Sequence, residues 1–107
     1  MGKSIGFEYN DKPYCLEFTR ASVVFMEKQG FQIAEVVTKP MNTIPKLFRG
    51  AFMAHHPNVS NEEVEEIYDS LSNRGDLCLL LAEMYNDTVE SLLGDSPEGK
   101  TEWTKSW

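Results

Sequence analysis

The stretch that most narrows the possible folds is the opening "SIGFEYNDKPYCLEF". It alternates strictly. Ile5, Phe7 and Tyr9 share one face of a strand, and Tyr14, Leu16 and Phe18 share one face of a second. Asn10-Asp11 between them is a two-residue turn, because both residues tolerate left-handed backbone. Pro13 has no amide hydrogen, so its nitrogen must face away from the partner strand. A lone hairpin is marginal in water. Its apolar face therefore needs a cover, and the rest of the chain reads as helix. The expected class is α+β: an N-terminal β-hairpin on a mostly helical domain of four to five helices.

"TRASVVFMEKQG" reads as the first helix, with Thr19 or Ser22 as N-cap and Gly30 just past the end. Val23, Val24, Phe25 and Met26 run almost all the way round it, which predicts a central helix. "FQIAEVV" alternates weakly and is expected to be extended. In "MNTIPKLFRGAFMAHH", residues Ile44, Leu47, Phe48, Ala51 and Phe52 follow i, i+3, i+4, i+7, i+8, the clearest helical stripe in the chain. Asn42 or Thr43 is its expected cap, Pro45 falls in its first turn, and Gly50 implies the close approach of another backbone. A helix over about 61–71 would bury Val64, Ile67, Tyr68 and Leu71. A fourth, from near Asp76, carries Leu77, Leu80, Leu81 and Met84 on one stripe. A break at "YNDT" would leave a short last helix, capped by Asp87 and burying Val89, Leu92 and Leu93. The expected domain is 1–94, followed by a flexible, polar tail over 95–107.

The only two histidines, His55 and His56, are adjacent and precede a run of acids. Side by side on a helix they diverge by about 100°, so they do not converge on one metal ion. A helix-end reading accounts for each part of the segment. The histidines serve the last free carbonyls and Pro57 stops the helix. Ser60 with Glu63 forms a capping box for the next one, and Glu62, Glu63, Glu65 and Glu66 suit its N-terminus. No metal, cofactor or catalytic residue is assigned. Nucleophile elbows, glycine-rich phosphate loops, HExxH, CxxC and EF-hand patterns are all missing from the sequence. A nonenzymatic protein is expected.

Charge narrows the choice of partners. The net charge is −7, which argues against direct nucleic-acid binding. Residues 1–59 hold seven Lys/Arg and five Asp/Glu, a balance of +2, while residues 60–107 hold three and twelve, a balance of −9. Such asymmetry favours a basic partner or a second copy of the chain. Cys15 and Cys78 are too few for a disulfide framework and fit a reducing compartment. The longest apolar run, "LCLLLA", is too short to cross a membrane, and the N-terminus has no secretory h-region. Gly2 follows Met1, but Gly6 stands where myristoylation wants Ser or Thr. Trp103 and Trp107 are unusual in a polar tail and are the candidate partner-binding residues, since Trp is a frequent interface anchor.

Three segments, "GFEYNDKPYCLEFTRASVVFMEKQGF", "KPMNTIPKLFRGAFMAHHPNVSNEEVEEIYDSL" and "LAEMYNDTVESLL", resemble a family of small proteins from long-tailed phages and prophages of Gram-positive bacteria. That family is catalogued as a domain of unknown function, and its members resemble tail assembly chaperones in size and gene position. The resemblance covers about residues 5 to 93, with departures at Asp11, where Gly is usual, and at Thr88, where Pro often follows the acidic residue. It implies a cytoplasmic, nonenzymatic chaperone of the bacterial host cell. Such a protein coats the tape measure protein, helps recruit tail tube protein, self-associates and is absent from the finished virion. The alternative is a structural neck or tail-completion protein, which would be present in particles.

Overall fold

The computed structural model describes residues 3–92 and 101–107. Strands β1 (Ser4–Tyr9) and β2 (Lys12–Glu17) form a two-stranded antiparallel sheet. Helices α1 (Arg20–Lys28), α2 (Glu35–Thr38), α3 (Pro40–Phe52), α4 (Asn61–Ser70) and α5 (Arg74–Glu90) follow. The fold is α+β, a hairpin laid on a helical body.

The hairpin forms as its alternation dictates. Asn10 and Asp11 both take positive φ, 51° and 64°, so the loop is the two-residue kind whose twist matches the strands. Tyr9 faces Lys12 across it, and the register continues through Glu8–Pro13, Phe7–Tyr14, Gly6–Cys15 and Ile5–Leu16. Hydrogen-bonded and non-hydrogen-bonded pairs alternate along such a ladder. With Tyr9–Lys12 closing the loop as a bonded pair, Pro13 and Cys15 both fall on non-bonded pairs. Pro13 therefore forfeits no ladder bond, and the Cys15 amide points out of the sheet. Tyr14, Leu16 and Phe18 are buried, and Ile5, Phe7 and Tyr9 pack half-buried beside them.

The central helix is α3 rather than α1. It touches α1, α2, α4, α5 and β2, and it supplies Leu47, Phe48, Ala51 and Phe52 to the core, each at most 1% exposed. Fully burying an apolar side chain of this size contributes on the order of 1.5–3 kcal/mol, so this stripe is the largest single source of core stability. Aromatic rings tie it outward. Phe52 meets Phe7, Tyr14 and Phe48 edge-on, and Phe48 meets Tyr68 of α4 in the same way at 5.1 Å. The Tyr68 hydroxyl lies 3.6 Å from Cys78 Sγ on α5. Burial first and this contact second push the phenol up. Cys15 and Cys78 are free and half-buried.

In α1 only Ser22, Val23 and Met26 are buried. Val24 and Phe25 stand 48% and 47% exposed. A nine-residue helix resting on one side of α3 has only one face to bury, so the apolar tetrad cannot all enter the core. Thr19 and Ser22 act together rather than as alternatives: Thr19 is the N-cap, and the Ser22 hydroxyl closes the capping box on the Thr19 amide. Gly30 takes φ +88° just past the helix end. A Cβ at Gly50 would overlap the Met26 Sδ, so the close approach is by a side chain of α1 and not by backbone.

Other expectations yield to the tertiary structure. "FQIAEVV" is not extended, and its second half coils into α2. α3 begins at Pro40, with Lys39 at the N-cap position and no capping side chain, so neither Asn42 nor Thr43 is the cap. Pro40 starts the helix without needing an amide partner, and Pro45 lies inside it. Thr43 is buried while Ile44 is only half-buried. α5 runs through "YNDT" unbroken. Thr88 stays helical and donates its hydroxyl to the carbonyls of Met84 and Phe18, at 3.0 and 3.1 Å. Asp87 caps nothing; with Glu83 it holds Lys3 at 2.9 Å, tying the start of the hairpin to α5. These bonds, that to Asp87 first, hold the Lys3 ammonium above its ordinary range. Leu80, Val89 and Leu92 are exposed, against expectation, and Tyr85 takes the inner position with Leu81 and Met84. Leu93 and the expected boundary at 94–95 lie outside the described residues.

Candidate functional site

The histidine pair lies where α3 ends. Both backbone amides donate to the Phe52 carbonyl, but the side chains leave the helix end and go to β2. His56 Nε2 accepts the outward-pointing Cys15 amide at 3.0 Å, and its ring lies 5.0 Å from that of Tyr14. His55 Nε2 meets Glu17 Oε1 at 2.7 Å. Cys15 and Glu17 are two residues apart on β2, so adjacent histidines engage one each, a backbone amide and a carboxylate. The expectation that the side chains serve helix carbonyls is therefore corrected. The acceptor role also requires an unprotonated Nε2 on His56. The Nε2 atom of each ring is engaged on a different partner, and the ring centroids lie 6.4 Å apart.

The capping box expected at Ser60 is half formed. Ser60 accepts the Glu63 amide at 3.1 Å. The Glu63 carboxylate does not return to Ser60, because it accepts the Tyr14 hydroxyl instead. This bond chiefly, with burial and the Glu63 charge adding to it, pushes the Tyr14 phenol from 10.0 up to about 12. Tyr14, His56, Glu63, Glu17 and His55 thus form one polar seam along the β2 edge. Within it, His56 satisfies the outward-pointing Cys15 amide of β2. No group of three or more His, Cys, Asp or Glu side chains placed to hold a metal occurs among the described residues.

The candidate binding features lie on the surface. Trp103 and Trp107 stand 84% and 92% exposed in the irregular segment 101–107, with the Lys105 ammonium 5.6 Å from the Trp107 ring. The sequence reading missed further exposed apolar side chains: Val24 and Phe25 on α1, Met41 on α3, and Leu79, Leu80 and Leu92 on and just past α5. The crowded tetrad at 23–26 was the one available signal for them. An open groove of about 470 Å³ runs between α1 and the end of α3, over Phe25, Phe31, Phe52 and Met53. Lys46 and Arg49 stand on its rim. A second groove, of about 570 Å³, separates α3 from α4. No helix among the described residues is long and apolar enough to cross a membrane.

A small α+β domain with a clamped strand edge and exposed apolar helix faces is the class these features define. The chain belongs to the family described as a domain of unknown function, DUF5055, which it matches over residues 1–107. No curated protein matches it, and no solved structure does.

Proposed function

We propose that this protein is a nonenzymatic tail assembly chaperone of a long-tailed phage or prophage. In this reading it acts in the cytoplasm of the bacterial host, holds the tape measure protein soluble and assists assembly of the tail tube. The observation that carries the reading is the set of large apolar side chains left exposed on helices already packed into a complete core: Val24, Phe25, Met41, Leu79 and Leu80. Exposed apolar surface beside charged surface suits transient contact with an amphipathic helical client. The acidic second part of the chain would guide encounter with a basic client, and apolar contact would retain it. The family resemblance described above supplies the identity of the client. Coating a long rod requires many copies, so self-association belongs to the same reading.

The test is co-expression with a tape measure fragment followed by sedimentation. The fragment is expected in the soluble fraction with the chaperone and in the pellet without it. Added salt should slow association more than it speeds release. A protein that stays monomeric at high concentration and leaves the fragment in the pellet would refute the reading. Recovery of the protein as a stoichiometric part of purified virions would favour a neck or tail-completion subunit instead.

A further inference from the structure

The two edges of the hairpin differ. Along β2, Pro13 offers no amide, His56 takes the Cys15 amide at 3.0 Å, and His55 holds the Glu17 carboxylate. Proline, bulges and covering side chains are how folded proteins close a strand edge against pairing. Among the described residues, β1 has none of these. Its register with β2 runs from Ser4 to Tyr9 without a bulge. Gly6 stands opposite Cys15, and the Cys15 amide leaves the ladder for His56, so this pair is a non-bonded one. The Gly6 N–H and C=O therefore point outward, and by alternation so do those of Ser4 and Glu8. All three residues are exposed, and their amides have no partner among the described residues. α3 packs against β2 rather than β1, so the helical body backs the closed edge. Gly6 also has no explanation inside the chain. It does not take positive φ, and a Cβ there would meet only the Tyr14 carbonyl, at an ordinary 3.8 Å. A strand glycine with neither bulge nor internal crowding marks the close approach of another backbone.

We propose that the open edge of β1 pairs with β1 of a second copy, antiparallel about a two-fold axis at Gly6, so that two hairpins join into one continuous sheet. Setting Gly6 opposite Gly6 brings Ser4 opposite Glu8 on both sides of the axis. It is the one register in which Ser4, Gly6 and Glu8 of each copy all meet an outward-pointing residue of the other strand. Each such pair exchanges N–H···O bonds in both directions. The side chains agree with this register. On the inner face Ile5 falls opposite Phe7, and both are half-buried with apolar area left to cover. On the outer face the Ser4 hydroxyl donates to the Glu8 carboxylate, so the one charge on β1 meets a neutral donor and no like charge. Gly6 brings no side chain to the axis. A shift by two residues sets an end of β1 against the left-handed Asn10-Asp11 turn or against the chain before Ser4. The occupant that matches this edge is therefore its own copy, which carries the same outward spacing and the complementary order of Ser4 and Glu8. The contact is isologous and closes at two copies. It does not rest on the chaperone reading, for which it supplies a self-associating unit.

The experiment tests the register by crosslinking. Ser4→Cys and Glu8→Cys are made singly in the full-length protein, both at exposed positions. Opposed residues of a bonded pair have Cα atoms about 5.5 Å apart, within the roughly 4.4–6.8 Å that a disulfide spans. In a dimer of either variant alone the two new thiols lie roughly 14 Å apart. An equimolar mixture under mild oxidation is expected to give a linked dimer whose disulfide joins positions 4 and 8. Each variant alone should stay unlinked, as should wild type with its free Cys15 and Cys78. In sedimentation velocity wild type is expected to show a monomer–dimer equilibrium that stops at two. The Gly6 and Glu8 amides should gain protection from hydrogen exchange as its concentration rises. Gly6→Pro removes an outward amide and leaves the hairpin ladder its bonds, as Pro13 does on β2. With its fold checked by circular dichroism, it should dimerise about tenfold more weakly or less. Wild type that stays monomeric at millimolar concentration would overturn the proposal. So would a dimer whose Gly6 and Glu8 amides exchange freely, or a mixture that links no more than the single variants. Client solubility in the co-expression assay is read separately. A monomer that still keeps the fragment soluble refutes the edge pairing alone, and a dimer that leaves it in the pellet counts against the chaperone reading alone.

Discussion

His56→Ala should destabilise the protein clearly more than His55→Ala, although the two residues are adjacent. The His56 side chain is the acceptor for the Cys15 amide at 3.0 Å. Removing a neutral hydrogen bond costs about 0.5–1.5 kcal/mol. The ring also lies 5.0 Å from Tyr14 and 6.3 Å from Phe52, and aromatic contacts of this kind contribute on the order of 0.5–1.5 kcal/mol beyond burial. The sum is about 1–3 kcal/mol. His55 loses only its contact with Glu17, at 43% and 25% side-chain exposure, and pairs of that exposure contribute about 0–1 kcal/mol. Thermal unfolding separates the two, since about 2 kcal/mol lowers the midpoint of a domain this size by roughly 8–16 °C. Amide hydrogen exchange locates the cause: Cys15 should lose protection in His56→Ala and keep it in His55→Ala. Equal melting temperatures for the two variants, or an unchanged Cys15 amide in His56→Ala, would refute the clamp.

Three further outcomes are expected. Phe52→Ala should cost about 3–5 kcal/mol, because Phe52 is 1% exposed and meets Phe7, Tyr14 and Phe48 at once; a loss under about 1 kcal/mol in denaturant titration would contradict the packing. Tyr14 has a folded-state phenol raised from 10.0 to about 12 by Glu63, so the protonated form stabilises the fold, fully below about pH 10, with the contribution lost as pH rises through 12. Tyr14→Phe should remove that loss, and a stability curve over this range as steep as wild type's would refute the assignment. Asp11→Gly should stabilise by about 0.5 kcal/mol, since Asp11 holds φ 64° and Gly adopts that conformation freely; a lower midpoint in urea would contradict the turn geometry.

The sequence by itself determined what depends on short-range periodicity and on residues with restricted backbones. The hairpin followed from strict alternation around Asn10-Asp11. The α3 stripe followed from helical spacing. The start of α4 followed from the Ser60 cap, and the end of α1 from Gly30. These signals act within about one or two turns of chain, so they do not depend on what packs where. Tertiary structure decided the rest. Val24 and Phe25 are as apolar as Val23 and Met26, and only the direction of α3 made one pair core and the other surface. Asp87 and Glu63 were both read as caps, but Lys3 and Tyr14 reach them across the fold and take their oxygens. "YNDT" had every local reason to break a helix, yet Phe18 offers its carbonyl to Thr88 and the helix continues. The adjacency of the histidines was legible in the sequence, but their partners, Cys15 and Glu17, lie about forty residues away. A hydrogen-bond donor pointing out of a strand edge leaves no mark on the sequence around the acceptor, because the register that aims it and the helix that delivers the ring are set only when the chain has folded.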